Sequence, residues 1–257
     1  MKLHYKKYGE GPVNIFILHG IFGMLDNWHN IARSMGDSYT IYTVDARNHG
    51  QSPHSDEMSY SLMASDLSEL LNELKIEEAV IIGHSMGGKT AMVFAHNFPE
   101  KTKALVIVDI APKTYKPGHV SYFKAFEEID FSKLTNRKEV DEALMPYEND
   151  LGVRLFLAKN IERDEEGGFK VKSNLKGIRN GYEEIIGGLT FRETFEKPTL
   201  FIKGSRSAYI SEYDEVEILK YFPKAAFEVV DNAGHWVNAD NPEGFIKVLT
   251  VFLSQLK

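Results

Sequence analysis

The stretch IIGHSMGGKT, residues 81–90, carries two motifs that exclude each other. Residues 83–90 spell G-x-x-x-x-G-K-T, the loop that cradles phosphates in P-loop NTPases. Residues 83–87 spell G-x-S-x-G, the tight strand-to-helix turn that presents a nucleophilic serine. The first reading predicts nucleotide binding through Lys89 and Thr90, the second a hydrolase built on Ser85. The P-loop reading has local support, because a strand-like run precedes the motif. Downstream, ALVIVD (104–109) also imitates the apolar strand whose terminal aspartate holds magnesium in such enzymes.

Outward from this stretch, short β-rich runs recur: VNIFIL (13–18), YTIYTVD (39–45), EAVIIG (78–83), ALVIVD (104–109), TLFIKG (199–204) and AFEVVD (226–231). They are nearly continuous rather than alternating, as expected of strands covered on both faces in a parallel sheet. Helical patterns lie between them. In SLMASDLSELLNELK, Leu62, Leu67, Leu70, Leu71 and Leu74 share one face. A helix over GGKTAMVFAHNFP ends at Phe98, before Pro99. At the C-terminus Asp240 is expected as cap and Pro242 in the first turn, with Phe245, Val248, Leu249 and Phe252 as the buried stripe. The alternation predicts a doubly wound α/β fold with a mostly parallel sheet. Residues 111–197 break the rhythm. They hold no evident buried strand and read as helical and aromatic, with Tyr115, Tyr122, Phe123, Phe126, Tyr147, Phe156 and Tyr182. They are expected to form a helical lid on a core of residues 1–110 and 198–257, or else a decorative or oligomerising insertion.

Composition narrows the function classes. The 257 residues are 43% hydrophobic and 26% charged, which suits one large soluble domain. The formal net charge of −7 argues against nucleic acid or an anionic membrane surface as partner. There is no cysteine, hence no disulfide and no thiolate metal site. The first apolar run is too short and too late for a signal peptide or a membrane span, so a cytoplasmic location is expected.

The elbow reading accounts for more of the chain. Strand and helix nearly touch at such a turn, so small residues must flank the serine, and Gly83 and Gly87 do. Gly88, Ala91 and Ala95 continue a smooth helix face, leaving Lys89 and Thr90 as ordinary first-turn residues. A serine hydroxyl needs a base. His235, in DNAGHWVNADNPEGF before the last helix, stands where a base would reach it. Most of the other histidines read as surface residues; His84 is expected to point away from the hydroxyl. The oxyanion of a tetrahedral intermediate needs backbone N–H donors. Met86 is expected to supply one and Ile21 the other, with Phe22 as the neighbouring possibility, in ILHGIFGMLDNW. His19 reads as a structural residue holding that loop, and Trp28 as packing against it.

His19-Gly20, the elbow at residues 83–87, VDARNHGQS (44–52) and Gly234-His235-Trp236 together resemble the α/β-hydrolase family, over essentially the whole chain. In most relatives the acid that orients the histidine follows the seventh strand. Here that segment, PTLFIKGSRSAYI, holds no Asp or Glu; Ser205 and Ser207 stand in its place, and Glu212 and Asp214 fall in the next helix. Asp109 ends the preceding strand, where an aspartate projects from the carboxyl edge of the sheet; the competing reading is a turn or capping aspartate. A subgroup of small bacterial esterases and thioesterases, with mitochondrial relatives, is similar in H-G-x-F-G, D-x-R-N-H-G and G-x-x-S-x-Y, and places its acid after strand six. The resemblance implies Ser85, Asp109 and His235 as the triad. Asp45 reads as fixing the 45–50 loop together with Arg47.

The expectation is a serine hydrolase that cleaves small-molecule carboxylic esters through an acyl-enzyme, with no metal or organic cofactor. Ser85 at the nucleophile position counts against the haloalkane and epoxide enzymes of the fold, which usually use Asp. An acyl-CoA thioesterase competes, and would use cations near the insertion such as Lys113, Lys116, Arg154 and Lys159; a carbon–carbon bond hydrolase shares the same logic. From other classes come the P-loop NTPase and a non-catalytic binding protein on a hydrolase scaffold. The NTPase needs Lys89. The hydrolase expects Lys89→Ala to retain activity and Ser85→Ala to lose it.

Overall fold

The apolar runs become six strands of one seven-stranded sheet. A computed structural model of the chain describes residues 1–256. The first half runs β1 (Tyr5–Tyr8), β2 (Asn14–Leu18), α1 (His29–Met35), β3 (Thr40–Val44), α2 (Tyr60–Glu73), β4 (Ala79–His84), α3 (Met86–Asn97) and β5 (Thr102–Val108). An insertion follows: α4 (Val120–Glu128), α5 (Arg137–Leu144), α6 (Leu151–Ala158), β6 (Ile161–Arg163), β7 (Phe169–Val171), α7 (Leu175–Asn180) and α8 (Tyr182–Ile186). The chain then returns through β8 (Thr199–Gly204), α9 (Glu212–Tyr221), β9 (Ala225–Val230), α10 (Val237–Asp240) and α11 (Pro242–Ser254).

The strand order is β1-β3-β2-β4-β5-β8-β9, with β1 antiparallel to β3 and every other pair parallel. Along β4 and β5, side chains alternate between two apolar layers. Val80, Ile82, Val106 and Val108 pack with Trp28, Ile31, Phe245 and Leu249 on the α1/α11 side. Ile81, Leu105 and Ile107 pack with Leu67, Leu71, Met92 and Phe94 on the α2/α3 side. Both layers are dry, which is why these strands read as unbroken apolar text. Phe123, Phe126, Leu144, Leu157 and Ile178 of the insertion join the second layer, so the insertion shares the core's apolar interior. Among the described residues no helix is long and apolar enough to cross a membrane.

Three local features differ from expectation. Strand β1, YKKY, is an edge strand with Lys6 and Lys7 exposed, too polar to register as a buried run. The insertion is not purely helical: β6 and β7 form an antiparallel hairpin, turned by Gly167 and Gly168 at φ 104° and 69°. Three-residue strands carry no readable period. The cap of α11 is Asn241, whose side chain accepts from Gly244 N–H at 2.9 Å. Asp240 belongs to α10, and its carboxylate instead accepts from Gly234 N–H at 2.6 Å, beside His235.

Parallel strands end at a common edge, and the register places the site there. His84 pairs with Val108, Val108 with Ile202, and Gly204 with Val230. The residues after β4, β5, β8 and β9 therefore converge on one carboxyl rim, where ligands bind in open α/β sheets.

Candidate active site

The β4–α3 turn is as tight as the motif demands. A Cβ on Gly83 would stand 2.1 Å from the Gly87 carbonyl oxygen, and one on Gly87 2.4 Å from that of Leu18. Ser85 sits between them at φ 53°, ψ −118°, a conformation that costs about 1–3 kcal/mol and needs the surrounding structure to hold it. Its N–H donates to Val108 O at 3.1 Å, and its carbonyl accepts from Gly88 and Lys89 N–H. Among the described residues its hydroxyl has no partner. It opens into a cavity of about 100 Å³ that His235 also lines. Catalytic hydrogen bonds are commonly long before substrate arrives.

Asp109 follows β5, fully buried and at φ 51°. Three donors converge on its carboxylate: His235 Nδ1–H at 2.8 Å, Gly204 N–H at 3.2 Å and the Ser207 hydroxyl. With Nδ1 protonated, the Nε2 lone pair of His235 is free to act as a base. Asp214 lies elsewhere: it caps α9 through Ser211 and pairs with Lys113.

Neither the Ile21 N–H nor the Met86 N–H has an acceptor among the described residues. Phe22 N–H is not available, because it donates to His49 Nε2 at 3.2 Å. The Phe22 peptide is held from the other side too, its carbonyl accepting from Asn160 of the insertion at 2.6 Å. Met86 opens α3, so its N–H carries the positive end of the helix dipole. Ile21 borders the same cavity as Ser85.

Several residues that the sequence left plain support this rim. His84 reaches His235, donating from Nε2 to its carbonyl at 2.8 Å, with the two rings 4.7 Å apart. Tyr209 stacks on the His235 ring, centroids 3.7 Å apart and planes 14° apart, and Tyr115 stacks on Tyr209. His19 holds its loop as expected, accepting from Ala46 N–H and donating to Gly20 O. His49 and His84 are buried rather than surface residues, and no local pattern marks a buried histidine. Trp28 is buried against Phe245 and His84. Arg47 forms a bidentate, buried pair with Asp66, not with Asp45. Asp45 fixes the loop itself by accepting from Gln51 and Leu25 N–H.

Burial lowers the imidazole pKa of His19 to about 4 and those of His49 and His84 to about 3. All three are neutral rings at physiological pH. Their unfolded value is near 6.5, about where the unfolded chain begins to take up these protons as pH falls. The stability tied to the neutral rings is complete above about pH 6.5 and is lost as pH drops toward 4 and 3. The melting temperature is expected to be on the order of 10 °C lower at pH 5 than at pH 7.5; a thermal melt at the two pH values checks this, and equal values would contradict it.

The P-loop residues face inward. Lys89 is 1% exposed, and its ammonium donates to Lys113 O at 2.8 Å and Gly187 O at 2.6 Å, tying the two ends of the insertion together. Burial lowers its pKa to about 8. Thr90 donates to Met86 O. Neither group is open to a phosphate. Lys89→Ala is therefore expected to cost stability, since it leaves two carbonyls without their donor.

A family model described as the alpha/beta hydrolase fold matches residues 13–242. The chain is 41% identical to the sn-1-specific diacylglycerol lipase ABHD11 of Danio rerio, across 95% of this chain and 79% of that one. It is 35% identical to Esterase YbfF of Escherichia coli K12, across 93% and 92%. Among solved structures, a marine microorganism esterase superposes with a TM-score of 0.95 at 41% identity, covering 98% of this chain and 99% of that one.

Proposed function

The chain belongs to the α/β-hydrolase family and is a carboxylic ester hydrolase, and on that premise we propose that it cleaves small-molecule esters through a Ser85–His235–Asp109 triad and an acyl-enzyme. The observation that carries this reading is the 2.8 Å bond from His235 Nδ1 to the buried Asp109 carboxylate, beside the elbow that presents Ser85.

In the acylation step His235 Nε2 takes the Ser85 proton as the oxygen attacks the ester carbonyl. The carbonyl oxygen gains the π pair of the C=O bond and lies against the N–H groups of Ile21 and Met86. On collapse the oxyanion's pair re-forms the carbonyl and the bond to the leaving oxygen breaks, that oxygen departing with the pair of the broken bond and taking the proton from His235. Water then attacks the acyl-enzyme by the same route and restores Ser85. Asp109 keeps the proton on Nδ1 and offsets the imidazolium charge. Gly204 and Ser207 satisfy its other lone pairs, while Tyr209 and His84 fix the plane and the backbone of His235. Residues 111–197 act as a lid, since α6 brings Phe156 to the cavity.

A second reading, a thioesterase acting on acyl-CoA, draws on one observation. Of the four cations that could meet CoA phosphates, Lys113 and Arg154 are committed to Asp214 and Asp141. Lys159, together with Arg206, borders an open cavity beside His235. Measuring kcat/KM for p-nitrophenyl butyrate and butyryl-CoA in parallel decides between them. The ester reading expects the first to exceed the second at least tenfold; the reverse order makes the protein a thioesterase.

A further inference from the structure

Two cavities meet at His235, and they differ in size and contents. The Ser85 cavity, about 100 Å³, contains the serine and Ile21 and is closed by Gly118, His119, Tyr122 and Tyr209. The second, about 570 Å³, contains neither Ser85 nor Ile21. It extends past Asn27, Trp28, Asn238, Leu155 and Lys159. The residues common to both walls are Gly20, His84, Phe156, His235 and Trp236. Phe156 is the one that the insertion contributes, and its ring lies 5.6 Å from that of Trp236.

We propose that these are separate acyl and leaving-group pockets, divided by Phe156 against Trp236, and that the enzyme therefore selects a short acyl group on a bulky alcohol or thiol. The inference rests on the triad reading above and extends it to substrate class. The acyl carbon bonds to Ser85 Oγ, and its oxygen must meet the Ile21 and Met86 N–H groups. The acyl chain therefore starts in the small cavity. A volume of about 100 Å³ holds roughly three groups the size of a water molecule, which suits a propionyl or butyryl chain and excludes an octanoyl one. The leaving oxygen takes its proton from His235, so the rest of the leaving group runs into the neighbouring cavity that His235 also lines, a space of about 570 Å³ against about 100 Å³. The wider pocket offers aromatic walls together with amide and cationic side chains, which suits a leaving group with both apolar and hydrogen-bonding parts.

Phe156 is then a specificity-determining residue. Wild type is expected to show a kcat/KM at least tenfold higher for p-nitrophenyl butyrate than for the octanoate. In Phe156→Ala the partition is lost, and that ratio is expected to fall at least fivefold as the octanoyl chain gains access to the wider cavity. Phe156→Leu, which keeps more of the lid's packing, is expected to move the ratio in the same direction by less, and covers the case in which the alanine variant does not fold. Among butyrates, 1-naphthyl butyrate is expected to surpass methyl butyrate in wild type. A wild-type ratio below two, or a ratio unchanged in folded Phe156 variants, overturns the inference while leaving the triad intact. Failure of Ser85 to react with a fluorophosphonate, by contrast, removes the catalytic reading on which it stands.

Discussion

Ser85→Ala is expected to lower kcat on p-nitrophenyl butyrate by about 10⁴- to 10⁶-fold, with little change in melting temperature. Alanine keeps the Cβ, so the elbow packs as before between Leu18 and the start of α3. What disappears is the hydroxyl oxygen assigned to attack the acyl carbon. The triad acts as a unit, so loss of the nucleophile forfeits nearly all that the base and acid provide, leaving oxyanion stabilisation and binding alone. A residual rate within tenfold of wild type would mean that another group carries the reaction.

The second large effect concerns the acid. Asp109→Asn is expected to cost about 10³- to 10⁴-fold in kcat. Three donors point at this carboxylate, those of Gly204, Ser207 and His235. An amide replaces one acceptor oxygen by an NH₂, so a donor must lose its partner or His235 must shift its proton from Nδ1 to Nε2. Either outcome impairs the base. Asp214→Asn is the matched comparison. It weakens the α9 cap and the pair with Lys113, costing on the order of 1 kcal/mol of stability, and should leave kcat within about threefold. Turnover of a nitrophenyl ester by the two purified variants measures both; if the effects are exchanged, the acid lies on α9.

Much of the fold was legible because a parallel sheet buried on both faces writes itself as unbroken apolar text. Val80, Ile81 and Ile82 belong to different layers, yet all three had to be apolar. The edge strand β1 and the hairpin β6–β7 escaped for the converse reason: they are short and half-solvated, and they alternate without a lasting period. The start of α11 shifted by one residue because α10 absorbs Asp240, a tertiary choice between two adjacent capping side chains.

The candidate site was legible wherever one residue's chemistry depends on its immediate neighbours. Gly83 and Gly87 must be small because carbonyl groups crowd them, and that constraint is local. Residues joined only by the fold gave no sign of what they touch. Tyr209 lies on His235 and His84 grips its carbonyl across 151 positions, contacts that only strand order could reveal. Phe22 carried a signal that the sequence could not resolve, since its N–H is consumed by His49, 27 residues away. Lys89 is the opposite case: a conspicuous motif whose ammonium turns inward to bind the two ends of the insertion.

The most direct measurement is the mass of the intact protein after treatment with a fluorophosphonate, followed by peptide mapping. One adduct per chain is expected, on the peptide carrying Ser85, absent in Ser85→Ala and slowed in Asp109→Asn. Continued ester turnover with no adduct, or an adduct on any other residue, would contradict the assignment of Ser85 as nucleophile.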